Sequence, residues 1–253
     1  MNTVFSMLLM IIYGSFADDV EKDIAINLLQ ASDQIDSLLL STLAERCQCS
    51  PAAITRFIKK LGFDSFKRLK TQMNLTKKVR LNQLKTHIDL SSSEEIWMHL
   101  KNYTVDFDEN LLKEQVRNVN SMIHDSSRVL VIGAAYPQAL CLHYAEDMLV
   151  MGKPIYTVSA GYQFKLPYRD ENCMVMIISF TGRLFEYFHS EIQKLYDSQD
   201  RLCIITSADL SEVEDGRIKT ITLPFHQDNE DANSWFIELL RYMKTEYYHT
   251  YME

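Results

Sequence analysis

This chain lacks an apolar run of the length that a membrane span requires. The stretch Val4 to Tyr13 (VFSMLLMIIY) is about half the ~20 residues needed. No Lys or Arg precedes it and no small-residue cleavage site follows. It is therefore expected to be a helix packed on the first domain or on a partner subunit, not a signal peptide. Cysteine is also scarce: Cys47, Cys49, Cys141, Cys173 and Cys203 are five in all, an odd number. Cys47-x-Cys49 has the wrong spacing for a zinc knuckle, and no His pair follows at ligand spacing. That excludes a structural metal site and implies reduced thiols in a cytoplasmic protein. With seven glycines and five prolines, the chain shows no internal repeat and no low-complexity tract. Cations are outnumbered, 26 Lys and Arg against 34 Asp and Glu, for a net charge of −8. What is present is 253 residues that are 47% apolar, enough for one large or two modest domains.

The scarce positive charge is concentrated in one place. Between Ser41 and Lys85 lie eleven Lys or Arg and two acids, Glu45 and Asp64, a local balance of +9. A basic island in an acidic protein is a localised electrostatic footprint and points to duplex DNA. The same stretch has the layout of a helix-turn-helix. Ser41 is placed to cap a short helix over 42–47, with Leu43 and Ala44 inward and a turn at Gln48-Cys49-Ser50. Ser50 then caps a second helix, Pro51 takes its first position, and Gly62 ends it just beyond Leu61. Ile54, Phe57, Ile58 and Leu61 recur at helical spacing and seat that helix on its own domain. Its start is small or polar, as an approach to base edges requires, so Ser50, Ala52, Ala53, Thr55 and Arg56 are the base-facing candidates. Lys59, Lys60, Lys67 and Lys70 are the phosphate-facing ones. A further helix begins near Asp64 or Ser65 and turns Phe66, Leu69 and Met73 inward.

The pattern changes after a polar connector. The expected organisation is a helical domain over 1–80, a partly helical linker over 81–105, and an α/β domain over 106–253. In the last, five short β-rich runs (128–133, 154–158, 173–179, 201–206, 218–223) alternate with amphipathic segments, notably 138–151 and 184–197. That alternation argues for a parallel sheet wrapped by helices, followed by a closing helix over 232–251. In such a sheet ligands sit outside the carboxyl ends of the strands. Three loops qualify: Gly133-Ala134-Ala135, Ser159-Ala160-Gly161, and Ser179-Phe180-Thr181-Gly182-Arg183. In the third, two hydroxyls and a glycine before a helix form a phosphate cradle to which Arg183 adds charge. A plain capped helix start is the alternative reading.

Residues 40 to 70 closely resemble the N-terminal domain of RpiR-type bacterial transcription regulators. The resemblance rests on Leu43-Ala44, Ser50, Ala53-Ile54-Thr55-Arg56-Phe57, Lys60-Leu61-Gly62-Phe63, Phe66 and Leu69-Lys70. It implies a three-layer α/β/α sugar isomerase (SIS) domain with a five-stranded parallel sheet after the helix-turn-helix. It also implies a palindromic operator, a phosphorylated-sugar effector, a homodimer or dimer of dimers, and no cofactor. Ser179, Thr181 and Gly182 match the SIS phosphate loop, while Leu184 stands where a further hydroxyl is usual. In the first loop Gly133 is kept, Ala135 replaces a second glycine, and Pro137 lies where a serine is expected. Glu146, Glu186, His143 and His189 are the candidate general bases. Each lies in an amphipathic segment, expected on a solvated face, and no pair demands proton transfer. The expectation is a regulator and not an enzyme. The alternatives are a phosphosugar isomerase-like enzyme, or a regulator whose SIS-like domain only dimerises.

Overall fold

The computed structural model describes residues 3–14, 19–90, 93–103, 105–159, 172–187, 189–198, 201–208, 218–225 and 230–253. Six helices come first: α1 (Val4–Gly14), α2 (Val20–Gln30), α3 (Leu40–Arg46), α4 (Pro51–Lys60), α5 (Phe66–Leu90) and α6 (Ser93–Lys101), with a 3-10 turn, Ser32–Ser37, between α2 and α3. Then α7 (Glu109–His124) leads into β1 (Arg128–Gly133), α8 (Ala135–Val150), β2 (Ile155–Ser159), β3 (Cys173–Ser179), α9 (Arg183–Tyr187), α10 (His189–Ser198), β4 (Leu202–Thr206), β5 (Ile218–Thr222) and α11 (Glu230–Tyr251).

Local chemistry sets most of these bounds. Asp19 accepts a hydrogen bond from Lys22 N at 2.7 Å and caps α2, with Glu21 and Asp23 in the first turn, where the helix dipole favours acids. Ser50 accepts from Ala53 N at 3.2 Å, Pro51 opens α4, and Gly62 follows it with φ +90°. One expected cap is corrected. Ser41 lies inside α3, which begins at Leu40 after an extended Leu39 and has no side-chain cap. Burial of Leu43 and Ala44 places the helix on its core, and the chain enters it one residue before Ser41. The amphipathic segment 184–197 is helical where it is described, as α9 and α10.

The sheet is all parallel, in the order β2-β1-β3-β4-β5. Its central strands are buried on both faces: every residue of β3 and β4 is buried, so they read as continuous apolar runs. Chain order reverses after β2. The chain leaves that edge, returns past β1 and adds β3 on the far side, so the switch in strand order lies between β1 and β3. There Gly133 pairs with Ile178, and Ser179 lies one residue further along. The terminal helix α11 packs on α6, α7 and α8 and buries Trp235, Phe236, Leu239 and Met243 within the chain.

Helical head and α/β body are not joined by a free tether. The long α5 begins in the head, burying Leu69 and Met73, and ends on α8 of the body with Leu84 and Ile88 buried. Helix α1 buries Phe5, Leu8, Leu9 and Ile12 and touches α2, α5, β2 and α8 together. Among the described residues, no helix is long and apolar enough to cross a membrane.

Candidate nucleic-acid interface and ligand loops

The α3 turn α4 unit is fixed by its own backbone. Gln48 takes φ +48° in the turn, Cys49 N bonds to Ala44 O at 3.0 Å, and Phe63 N bonds back to Ile58 O at 3.1 Å. Ile54, Phe57 and Ile58 are buried, and this anchors one face of α4. At about 100° per residue, Ala52, Thr55, Arg56 and Lys59 then share the opposite, exposed arc, with Ser50 exposed at its start and Ala53 half-buried beside it. Thr55 Oγ1 donates to Pro51 O at 2.9 Å, which turns its methyl outward from that bond.

The basic island divides into engaged and free cations. Lys60 pairs with Glu21 at 2.6 Å and Arg68 with Asp64 at 2.5 Å. Lys77 pairs with Asp33. Lys70, named above as a phosphate contact, donates to the carbonyls of Asp36 and Leu38 at 2.8 and 3.1 Å and lies over the Phe66 ring. Arg46, Arg56, Lys59, Lys67, Lys78 and Lys85 are exposed and hold no hydrogen bond or ion pair among the described residues. Of these, Arg46, Lys78 and Lys85 contribute to the charge balance of the island without a place in the base-facing or phosphate-facing sets. Lys60 and Lys77 meet acids at 21 and 33, distant in sequence and adjacent in space; Lys70 meets backbone carbonyls, and Arg68 an acid four residues before it.

Cys47, beside this unit, is buried. Burial pushes Cys47 up to about 12, with Cys49 and Asp23 adding to the rise. Burial likewise raises Cys141 and Cys203. All five cysteines are free, and no metal-binding group of His, Cys, Asp and Glu occurs among the described residues.

At the sheet edge, the strand order brings Gly133 of β1 beside the loop that follows β3. Ser179 is buried: its hydroxyl accepts from Leu184 N at 3.2 Å and its carbonyl accepts from Thr206 Oγ1 at 2.6 Å. Thr181 Oγ1 accepts from Arg183 Nε at 3.0 Å, and Gly182 turns the chain with φ +76°. Thr206 and Ser207 were not anticipated as parts of this loop. Ser207 hydrogen-bonds Phe180 O through both its N–H and its hydroxyl, so the turns after β3 and β4 are laced together. Across the switch, α8 opens at Ala134 without a side-chain cap, and Tyr136 is exposed. Ser159 pairs with Gly133 at the end of β2. The side chains of Ser159 and Ala135, and all of Ala160 and Gly161, lie outside the described residues.

One of the four residues considered as bases has another role. Glu146 is only 9% exposed, which corrects the expected solvated face. It accepts from the Thr3 hydroxyl just before α1 at 2.5 Å and from the Ser6 hydroxyl of α1 at 3.1 Å, and lies 3.8 Å from Arg80 Nε. Asp147, 2% exposed, accepts from Arg80 Nη2 of α5 at 2.8 Å and from Lys244 Nζ of α11 at 2.5 Å, with His143 at 3.4 Å. One buried carboxylate on α8 thus holds a cation from the head and one from the body. A cavity of about 250 Å³ adjoins this cluster, lined by Arg80, His87, His143, Arg241 and Lys244 among others. The side chains of Glu186 and His189 lie outside the described residues.

Comparison with known proteins places the reading unit. The helix-turn-helix domain of the rpiR family matches residues 13–78. No curated protein matches the chain. Among solved structures, a hypothetical protein of Methanococcus jannaschii, whose crystal structure infers a molecular function of 3-hexulose-6-phosphate isomerase, is 16% identical over 62% of this chain and 88% of that one, with a TM-score of 0.44. The Vibrio vulnificus NanR protein complexed with ManNAc-6P is 12% identical over 97% of this chain and 92% of that one, with a TM-score of 0.41. The matched span runs from the end of α1 through the exposed arc of α4 into α5, so the chain carries a helix-turn-helix domain of the rpiR family and is a DNA-binding regulator.

Proposed function

We propose that this regulator is controlled by a phosphorylated sugar bound at the sheet edge of its α/β body, and that it reads a palindromic operator as a homodimer or dimer of dimers in the cytoplasm. The observation that carries the effector reading is the strand-order switch. It sets Gly133 next to the Ser179–Arg183 loop, the crevice where open parallel sheets bind ligands. Gly133, Ala134 and Ala135 form one wall and Ser179, Thr181, Gly182 and Arg183 the other, with Ser159 at the end of the neighbouring strand. A phosphate here displaces Arg183 from Thr181 and accepts from both. On the head, Ser50, Ala53, Thr55 and Arg56 face bases while Lys59 and Lys67 hold phosphates, and Lys60 joins them by exchanging its exposed partner Glu21. A single short helix gives little specificity. Two heads on a symmetric dimer read half-sites roughly one helical turn apart.

The coupling path follows from α8. It starts at the ligand loop and, near its other end, holds Arg80 of α5 through Asp147, so a ligand that moves α8 biases the placement of the head. A thermal-shift screen of phosphorylated sugars on the full chain tests the effector. At about 100 times its dissociation constant a true ligand adds about 2.7 kcal/mol of stability. Thr181→Val removes that shift and leaves DNA affinity intact. A panel without any shift, or a Thr181→Val isotherm equal to wild type, overturns the sheet-edge assignment.

A further inference from the structure

Helix α5 carries seven Lys or Arg in 25 residues and, from Phe66 to Ile88, no acid. Four of these cations are engaged within the chain: Arg68 by Asp64, Lys70 by two carbonyls of the head, Lys77 by Asp33 and Arg80 by Asp147. The other three, Lys67, Lys78 and Lys85, are exposed and hold no hydrogen bond or ion pair among the described residues. Their spacings are 11 and 7 residues. At about 100° per residue, Lys78 lies about 20° round from Lys67, and Lys85 returns to within about 20° of Lys78. The three free ammonium groups therefore fall on one line along the helix. At about 1.5 Å per residue that line is about 27 Å long.

A straight row of cations without counter-ions is complementary to a linear polyanion. The position of the row favours a nucleic-acid backbone. Lys67 is in the first turn of α5, close in the chain to the end of α4, whose outer face carries the free Arg56 and Lys59. We propose that α5 is a second DNA-contacting element: Lys67, Lys78 and Lys85 grip phosphates spaced several base pairs apart, outward from the site read by α4, and the protected duplex extends beyond the helix-turn-helix contact by roughly 8 base pairs at about 3.4 Å each. The proposal rests on the DNA-binding reading of the head.

The test is fluorescence anisotropy of the full chain on a 40-base-pair mixed-sequence duplex, titrated between about 50 and 200 mM salt. Lys78→Gln/Lys85→Gln is compared with Lys59→Gln and wild type, each first checked for native circular dichroism. Each lost phosphate contact lowers the slope of log K against log salt by about 0.9. The double variant is therefore expected about 1.8 below wild type, so the rise in salt costs it about 12-fold less affinity. If Lys59→Gln lowers the slope and the double variant does not, the α5 contact is refuted and the reading head stands. If wild type shows no salt-dependent binding to any duplex, both fail. Loss of binding to phosphatidylserine vesicles by the double variant, with its duplex slope unchanged, also refutes the proposal.

Discussion

A β-carbon on Gly133 would meet Ile178 O at 2.9 Å, and that oxygen belongs to the backbone of the neighbouring strand. Gly133→Ala must spread β1 from β3 at the crevice. We expect a loss of about 1–3 kcal/mol in urea unfolding, as for other overpacked sites, and loss of the sugar-phosphate thermal shift. Gly62 presents the opposite case. Nothing lies within 4 Å of its missing side chain, so only its φ of +90° matters. Gly62→Ala is expected to cost about 1–2 kcal/mol, read as weaker DNA binding through a frayed α4 and not as a packing defect. Among the contacts on the reading head, Arg56→Ala should cost about 1–3 kcal/mol on the operator and blur base preference. Equal weakening on all sequences would make Arg56 a phosphate contact only. Lys70→Ala should act differently from a phosphate contact, because Lys70 ties α5 to carbonyls at the end of the 3-10 turn. It should lower the unfolding midpoint and leave the salt slope unchanged.

The elements whose signals are local were legible in the chain. Ser50, Pro51 and Gly62 mark both ends of α4 within twelve residues, and the five β-rich runs fall within a residue or so of the observed strands. The loop after β3 was legible in its hydroxyls, though not in the way Thr206 and Ser207 stitch it to β4, since those partners lie 27 residues away. The second half of α5 was harder. Residues 75 to 88 are largely polar, with Thr76, Leu84 and Ile88 as their buried positions, a sparse stripe that reads as a connector. What keeps that half in place is Arg80 on Asp147, 67 residues on, and no periodicity encodes such a pair. Asp147→Asn leaves Arg80 and Lys244 facing a neutral amide. Removing one partner of a buried ion pair costs about 3–5 kcal/mol, and hydrogen exchange should show that loss at the α5–α8 contact before it reaches β3.

At the scale of the whole molecule, head and body share apolar contacts and a buried carboxylate cluster, so the chain is expected to unfold in one transition and not two. A scan with two resolved transitions would count against that union. The same union governs how the protein comes into being. Helix α1 is made before β2 and α8, the elements it packs against, and these emerge only some 130 residues later. At about 5–20 residues per second, that apolar segment leaves the ribosome roughly 7–25 s before its last partners exist. Nascent chains stalled ahead of β2 should therefore be bound by chaperones at their amino terminus, and the DNA-reading unit of this regulator reaches its finished form only after the sheet behind it has been synthesised.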